Sequence, residues 1–499
     1  MSGGHGSPGP CPPIRTWRTC TNRSSRSSST WRNATGSPRA ARPRTDAHGG
    51  RSYTAFATPL PGEEMQRPWK SALKVITATS AAAALMLASA CGGDDAAEGN
   101  ATGEVTGPID VWMGDPIGAA QQPTIVQLAK DYETAHPGTK VNLRFLGADA
   151  HKTYLTSIAG GTVPCVALIG NTWSPEFAGL QALEPIAQDP ASMKGVYTQS
   201  MIDSTVLDGV SYAVPYDTGV RALIYRKDLF DKAGLAAPKT WDDVLSSATK
   251  VQQDNPGVNG FGIIGGNQWY WLPMIWNWGG EIATQEGGAW KAKVDSPEAV
   301  AAFTFYADLL TKHKLAPEGA ATWQGADASK AFALGQIGMM VGGSWDLKTI
   351  LAQNPGMEQQ LATAPLPAGP GGNNDTFAGG SNLAIFKGCD NKATAKSFVD
   401  FLMKTENLVP VTTKIGLLPA TVDALEKERT SGSFSTPLLR AYAEQAPNTR
   451  SIPPVATWGK VEGTGAIVNA MQAIMNGQKT PEAAMQELAS QIDAAIGQQ

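Results

Sequence analysis

Residues 109–146 read IDVWMGDPIGAAQQPTIVQLAKDYETAHPGTKVNLRFL: a short apolar run, a helical period and an alternating segment, in that order. The run at 109–113 is a strand. Ile125, Leu128, Ala129 and Tyr132 recur at i, i+3, i+4 and i+7, one face of a helix that stops at His136, Pro137 and Gly138. Residues 141–146 alternate as a second strand, 154–159 form a short helix, and the apolar run 166–169 is a strand buried on both faces. Strand and helix in turn imply an α/β fold, with a parallel sheet covered by helices on both sides.

Further along, the pattern starts again. Asp208 and Gly209 lie between two short apolar runs and form a tight hairpin turn. Residues 221–226 are a strand, and 228–233 a helix closed by Gly234. Thr240 and Asp243 make a capping box for a helix whose apolar face is Val244, Leu245, Ala248 and Val251. Ser296 and Pro297 start another, facing inward through Val300, Phe303, Ala307 and Leu310. A strand at 337–341 precedes Ser344 as a helix cap, and two long helices, 458–475 and 481–496, end the chain with Gly477 and Thr480 between them. No repeat of solenoid length occurs. Two α/β lobes suit a chain of 499 residues better than one.

The N-terminal part is of another kind. Residues 1–64 carry Arg but no Lys among Ser, Thr, Pro and Gly, a composition that buries too little apolar surface to order itself. From Met65 the order is Arg67, Lys70 and Lys74, then an apolar run at 75–87, then Ala88, Ser89, Ala90 and Cys91. That is a signal peptide over 65–90, too short to span a membrane, with Cys91 placed for lipid attachment after cleavage. Ala88 stands where a lipobox has Leu or Val. Translation is therefore expected to start at Met65, with 1–64 an over-extended or disordered addition, and residues 91–107 form a small, polar, flexible tether. Twelve Lys or Arg and three Asp or Glu precede Cys91, so the net charge of −4 becomes −13 without them. An acidic surface disfavours nucleic acid as a partner.

Signatures of catalysis are missing: there is no Gly-x-Ser-x-Gly, no His-Glu-x-x-His and no phosphate loop. After Cys91 the only histidines are His136, His151 and His313, none spaced to share a metal, and no cofactor motif is present. Aromatic residues stand out instead. Trp269, Tyr270, Trp271, Trp276 and Trp278 fall within ten residues, and Trp112, Trp173, Trp345 and Trp458 lie at other segment ends. An indole matches the apolar C–H face of a pyranose, whose hydroxyls want carboxylate, amide and guanidinium partners. An uncharged carbohydrate is the ligand such a set would take. A secreted glycoside hydrolase with two opposed carboxylates is the alternative from another class, and a polyol or glycerol phosphate is the alternative ligand.

In their order and spacing, several stretches make the chain resemble the sugar-binding proteins of bacterial ABC importers, the maltose-binding-protein-like family. They are Asp110-Val-Trp-Met-Gly-Asp115, Gly160-Gly-Thr-Val-Pro-Cys-Val, Gly170-Asn-Thr-Trp-Ser-Pro-Glu-Phe-Ala178, Val214-Pro-Tyr-Asp-Thr-Gly-Val-Arg221, Tyr225-Arg-Lys-Asp-Leu-Phe230, Gly342-Gly-Ser-Trp345 and Phe377-Ala-Gly-Gly-Ser-Asn-Leu-Ala384. The resemblance implies a two-lobed periplasmic-binding-protein-like (type II) fold with discontinuous lobes joined by a hinge. Lobe one would be 108–214 plus 373–410 and lobe two 215–372 plus 411–499, with a first crossing near Val214 and Pro215 and a return at 377–381. Ligand would stabilise the closed form, and a membrane permease would receive it from a monomeric binding protein held on the outer face of the cell membrane. The ligand-binding residues it implies are Asp115, Asn171, Trp173, Asp217, Arg221, Trp269, Trp271, Trp345, Gly379, Gly380, Ser381 and Trp458. It also implies that the strand at 166–169 lies antiparallel to one at 383–386, bringing Cys165 and Cys389 together as a disulfide. Pro164-Cys165 departs from the family's usual Pro-Asp, and residues 215–221 depart from the maltose-binding version.

Overall fold

The computed structural model describes residues 103–114, 117, 119 and 121–497; the leader, Cys91, the tether up to residue 102 and Asp115 lie outside them. Six strands make the first sheet: β1 Gly107–Met113, β2 Thr139–Phe145, β3 Val166–Gly170, β4 Val214–Gly219, β8 Gly379–Ile385 and β9 Leu418–Pro419. Their order across the sheet is β9-β4-β8-β3-β1-β2. β1 runs parallel to β2 and β3, while β8 runs antiparallel to both β3 and β4. The apolar run of β3 divides by its period of two. Val166 and Leu168 join one core with Ile109, Val111, Leu383 and Ile385; Ala167 and Ile169 join another with Tyr154, Phe177, Ala384 and Phe386.

The second sheet is built on β5 Arg221–Arg226, flanked by β6 Met339–Gly343 and β7 Leu361–Ala364. Both neighbours are antiparallel to β5, unlike the parallel arrangement that the repeated strand-helix pattern suggests. A fourth row, parallel, comes from the bridges of Asn259 to Ile337 and Gly262 to Met340. One large core covers this lobe, from Val220 through Trp271 and Phe303 to Ile492.

Local signals place the elements well. The helix Gln122–Ala135 buries Ile125, Leu128, Ala129 and Tyr132. Asp208 and Gly209 both have positive φ, 50° and 80°, as a type I′ turn requires. Thr240 and Asp243 make both bonds of the capping box, and Ser296 Oγ accepts from the Ala299 N–H. Two expectations fail. Ser344 does not cap its helix, because its hydroxyl donates to the Gly416 carbonyl and Asp346 takes the Gly343 N–H instead. The expected helix 458–475 is two helices, Trp458–Thr464 and Ala466–Met475, broken where Gly465 adopts a left-handed φ of 66°.

The lobe boundaries also move. β4 stays paired with β8 as far as Gly219, so the first passage between lobes is at Val220 and not at 214–215. A boundary at 410–411 would cut the helix Thr405–Ile415, whose Leu408 and Val411 belong to a first-lobe core; the chain leaves that sheet only after Pro419. Ala378 and Ala420, small residues at the second and third passages, pack together with Met201. In the first lobe Cys165 and Cys389 are joined by a disulfide, their Cα atoms 4.5 Å apart and 224 positions apart in sequence.

Candidate functional site

A cavity of about 450 Å³ opens between the lobes, within the size range of small-molecule sites. From the first lobe it is lined by Gly170, Asn171, Thr172, Trp173, Gly379, Gly380 and Ser381; from the second by Arg221, Trp269, Trp345 and Glu462. Eight of the twelve residues expected from sequence thus meet in one place. A larger cavity of about 590 Å³ on the second lobe collects none of them.

Each lining side chain is held by its element. Asn171 and Trp173 follow the end of β3 in a short 3-10 turn, and the Asn171 amide donates to the Ala378 carbonyl at 2.6 Å, fixing this edge to the second passage. Trp173 leans on His151 and Phe177. Trp269 stacks on Phe377 with centroids 4.2 Å apart and planes 19° apart. Arg221, the first residue of β5, is buried with its guanidinium 4.4 Å from the Tyr270 ring and 5.2 Å from the Trp345 ring. Tyr270 in turn donates to Asp346 at 2.9 Å, and that carboxylate also takes the Ser329 hydroxyl and the Gly343 N–H. Burial pushes the Asp346 carboxyl above the usual range, with those hydrogen bonds and Arg221 pulling the other way. The cation, its two rings and the buried carboxylate form one preorganised wall.

Four expected residues fall elsewhere. Trp271 is 1 % exposed and packs edge-on against Phe303, as core. Trp458 is equally buried and does not line the cavity. Asp217 is fully buried, and its Oδ1 accepts the Ser381 N–H at 2.9 Å where the β4–β8 register shifts, so it secures a bulge. Asp115 is outside the described residues. Gly380 lines the cavity and is also required by the neighbouring strand: its φ is 141°, and a Cβ there would stand 2.2 Å from the Asp217 carbonyl oxygen.

Sequence reading missed Glu462. It lies one helical turn beyond Trp458 on the same helix, and that i+4 spacing was the available signal. Its carboxyl is raised to about 7, mainly by burial and further by Glu176, against the opposing influence of the Trp458 indole, the His151 ring and Thr172.

Two lobes linked by three chain passages, with an aromatic-lined cavity between them, define a two-lobed ligand-capturing protein of the type II periplasmic kind. The chain belongs to the bacterial extracellular solute-binding protein family, whose model matches residues 118–408. It is similar to the diacetylchitobiose-binding protein of Streptomyces coelicolor, 26% identical over 438 residues that cover 85% of this chain and 99% of that protein. The sn-glycerol-3-phosphate-binding periplasmic protein of Agrobacterium fabrum is 28% identical over 58% of this chain and 68% of its own. Maltose-bound MalE3 of T. maritima superposes with a TM-score of 0.65 at 28% identity, over 78% of this chain and all of that one. By their names these relatives bind diacetylchitobiose, sn-glycerol 3-phosphate and maltose, and as a member of a solute-binding family the protein is a binding component, not an enzyme. Among the described residues no helix is long and apolar enough to cross a membrane.

Proposed function

We propose that the protein captures an uncharged mono- or oligosaccharide by closing its lobes and passes it to the permease of an ABC importer, while an acylated Cys91 holds it to the outer face of the membrane. One observation carries the ligand assignment: Trp173 from one lobe and Trp269 and Trp345 from the other converge on a single cavity with Asn171, Arg221 and Glu462. Flat indoles suit the faces of a pyranose, and amide, guanidinium and carboxyl groups suit its hydroxyls. The relatives named for diacetylchitobiose and maltose agree with this. The glycerol phosphate reading draws on the Agrobacterium relative and on buried Arg221, but among the described residues the cavity lining offers a phosphate that guanidinium alone and adds a carboxyl, Glu462.

The test is a thermal-shift screen with maltose, N,N′-diacetylchitobiose and sn-glycerol 3-phosphate, followed by product analysis. Stabilisation by a saccharide that is recovered intact supports the reading. Stabilisation by glycerol phosphate alone overturns it.

A further inference from the structure

Helix Trp458–Thr464 carries Glu462 from the second lobe to the wall of the cleft. Contact with the first lobe is close on both sides. A Cβ on Gly459 would stand 2.6 Å from Glu176 Oε2, and one on Gly179 would stand 2.4 Å from the Ala456 Cβ. A glycine on each face therefore lets segment 456–462 lie directly on segment 171–179. Glu462 Oε1 is shut off from solvent, and its Oε2 lies 3.5 Å from Thr172 Oγ1, a long contact. Among the described residues the titratable groups facing it are Glu176 and His151 of the first lobe, themselves 2.6 Å apart, while Lys460 on its own helix is exposed and Arg221 stands on the second-lobe wall of the same cavity.

On the saccharide reading above, we propose that Glu462 is a specificity-determining residue which enters the closed complex protonated, hydrogen-bonds a neutral saccharide, and turns away phosphate-bearing ligands. A carboxylate closed into this wall would lose water, the dominant penalty, and face Glu176, with the Trp458 indole and the His151 ring opposing these less strongly than burial acts. Taking a proton from the buffer removes both penalties and creates an O–H donor for a sugar oxygen. When the lobes part, Thr172 and Glu176 withdraw, water returns, and the carboxyl resumes its ordinary acidity. Among the described residues a phosphate dianion in the same cavity meets a single guanidinium, which lies over the Tyr270 and Trp345 rings, and it would penalise any charge on Glu462.

The sign of the pH effect follows. Glu462 is raised to about 7 where its segment lies on the first lobe, and parting the two would return it toward the ordinary carboxylate range, so closure is unhindered at pH below that range. Affinity then falls as pH rises toward about 7 and is level above it. The experiment is calorimetry of the full-length protein with N,N′-diacetylchitobiose and maltose from pH 5.5 to 8.5, in buffers of different ionisation enthalpy. The expected result is proton uptake on binding and affinity on the order of tenfold weaker at pH 7.5 than at 5.5. Glu462→Gln should flatten the profile and abolish the uptake, and Glu176→Gln, which leaves Glu462 in place, should move the inflection to lower pH. Saccharide binding with a flat profile, an unchanged slope in Glu462→Gln, or tighter binding of sn-glycerol 3-phosphate than of either saccharide overturns the assignment of Glu462. Failure of every saccharide to bind at any pH overturns the saccharide reading as well.

Discussion

Among the described residues, the first lobe offers the cavity Asn171, Thr172, Trp173 and the glycine-rich start of β8, with no charged side chain; the second offers Trp269, Trp345, Arg221 and Glu462. The first lobe is a mixed six-stranded sheet with a core on each face and a disulfide across it. The second carries one larger, disulfide-free core into which tryptophans are built. The difference points to a division of labour. A stapled platform presents backbone, amide and one indole, while the partner lobe carries the charge and most of the stacking surface, so a ligand is fully recognised only when the two meet.

The sharpest way to break this comparison is inside the second core. Trp271→Ala should destabilise that lobe by about 3–5 kcal/mol, the usual cost of emptying a buried aromatic site, and denaturant unfolding should show an early second-lobe transition. Trp269→Ala, two positions away, should instead weaken ligand binding with little loss of stability. Equal stability losses for the two would merge core and cleft.

Replacing Cys165 and Cys389 together by Ala should cost the first lobe about 2–5 kcal/mol, because the bridge closes a very long loop. An unchanged melting profile without reductant would deny the staple its role. Trp345→Ala should weaken saccharide binding by about 1–3 kcal/mol, roughly thirtyfold at the middle of that range. Calorimetry giving wild-type affinity in a folded variant would make Trp345 only a cover for Arg221. Smallest is Thr240→Ala, which removes one capping-box bond on the second lobe's outer surface and should cost about 1 kcal/mol of stability without changing affinity.

Much of this molecule is legible in its sequence because the signals are local. The helix face Ile125, Leu128, Ala129 and Tyr132, the Asp208–Gly209 turn and the Thr240–Asp243 box depend on neighbours within a few residues, and the structure contains all three. The cleft residues Asn171 and Arg221 were reached only through motif resemblance, and Trp173 and Trp345 through it and their place at segment ends, signals that carry position along the chain but not direction in space. That is why Trp271 and Trp458, chosen by the same reasoning as Trp345, lie in the core.

The sequence alone determined the alternation of strand and helix, the two-lobed class and the stretches that border the cleft, since periodicity, caps and turn residues act over a few ångströms of adjacent chain. Tertiary structure decided the rest. It set the first passage between the lobes at Val220 through the pairing of β4 with β8, turned Asp217 into the partner of a bulged strand, and brought Glu462 against Thr172 across nearly three hundred intervening positions. Strand register and lobe contact depend on residues far apart in sequence, and which face of an element is buried is fixed only when those residues meet.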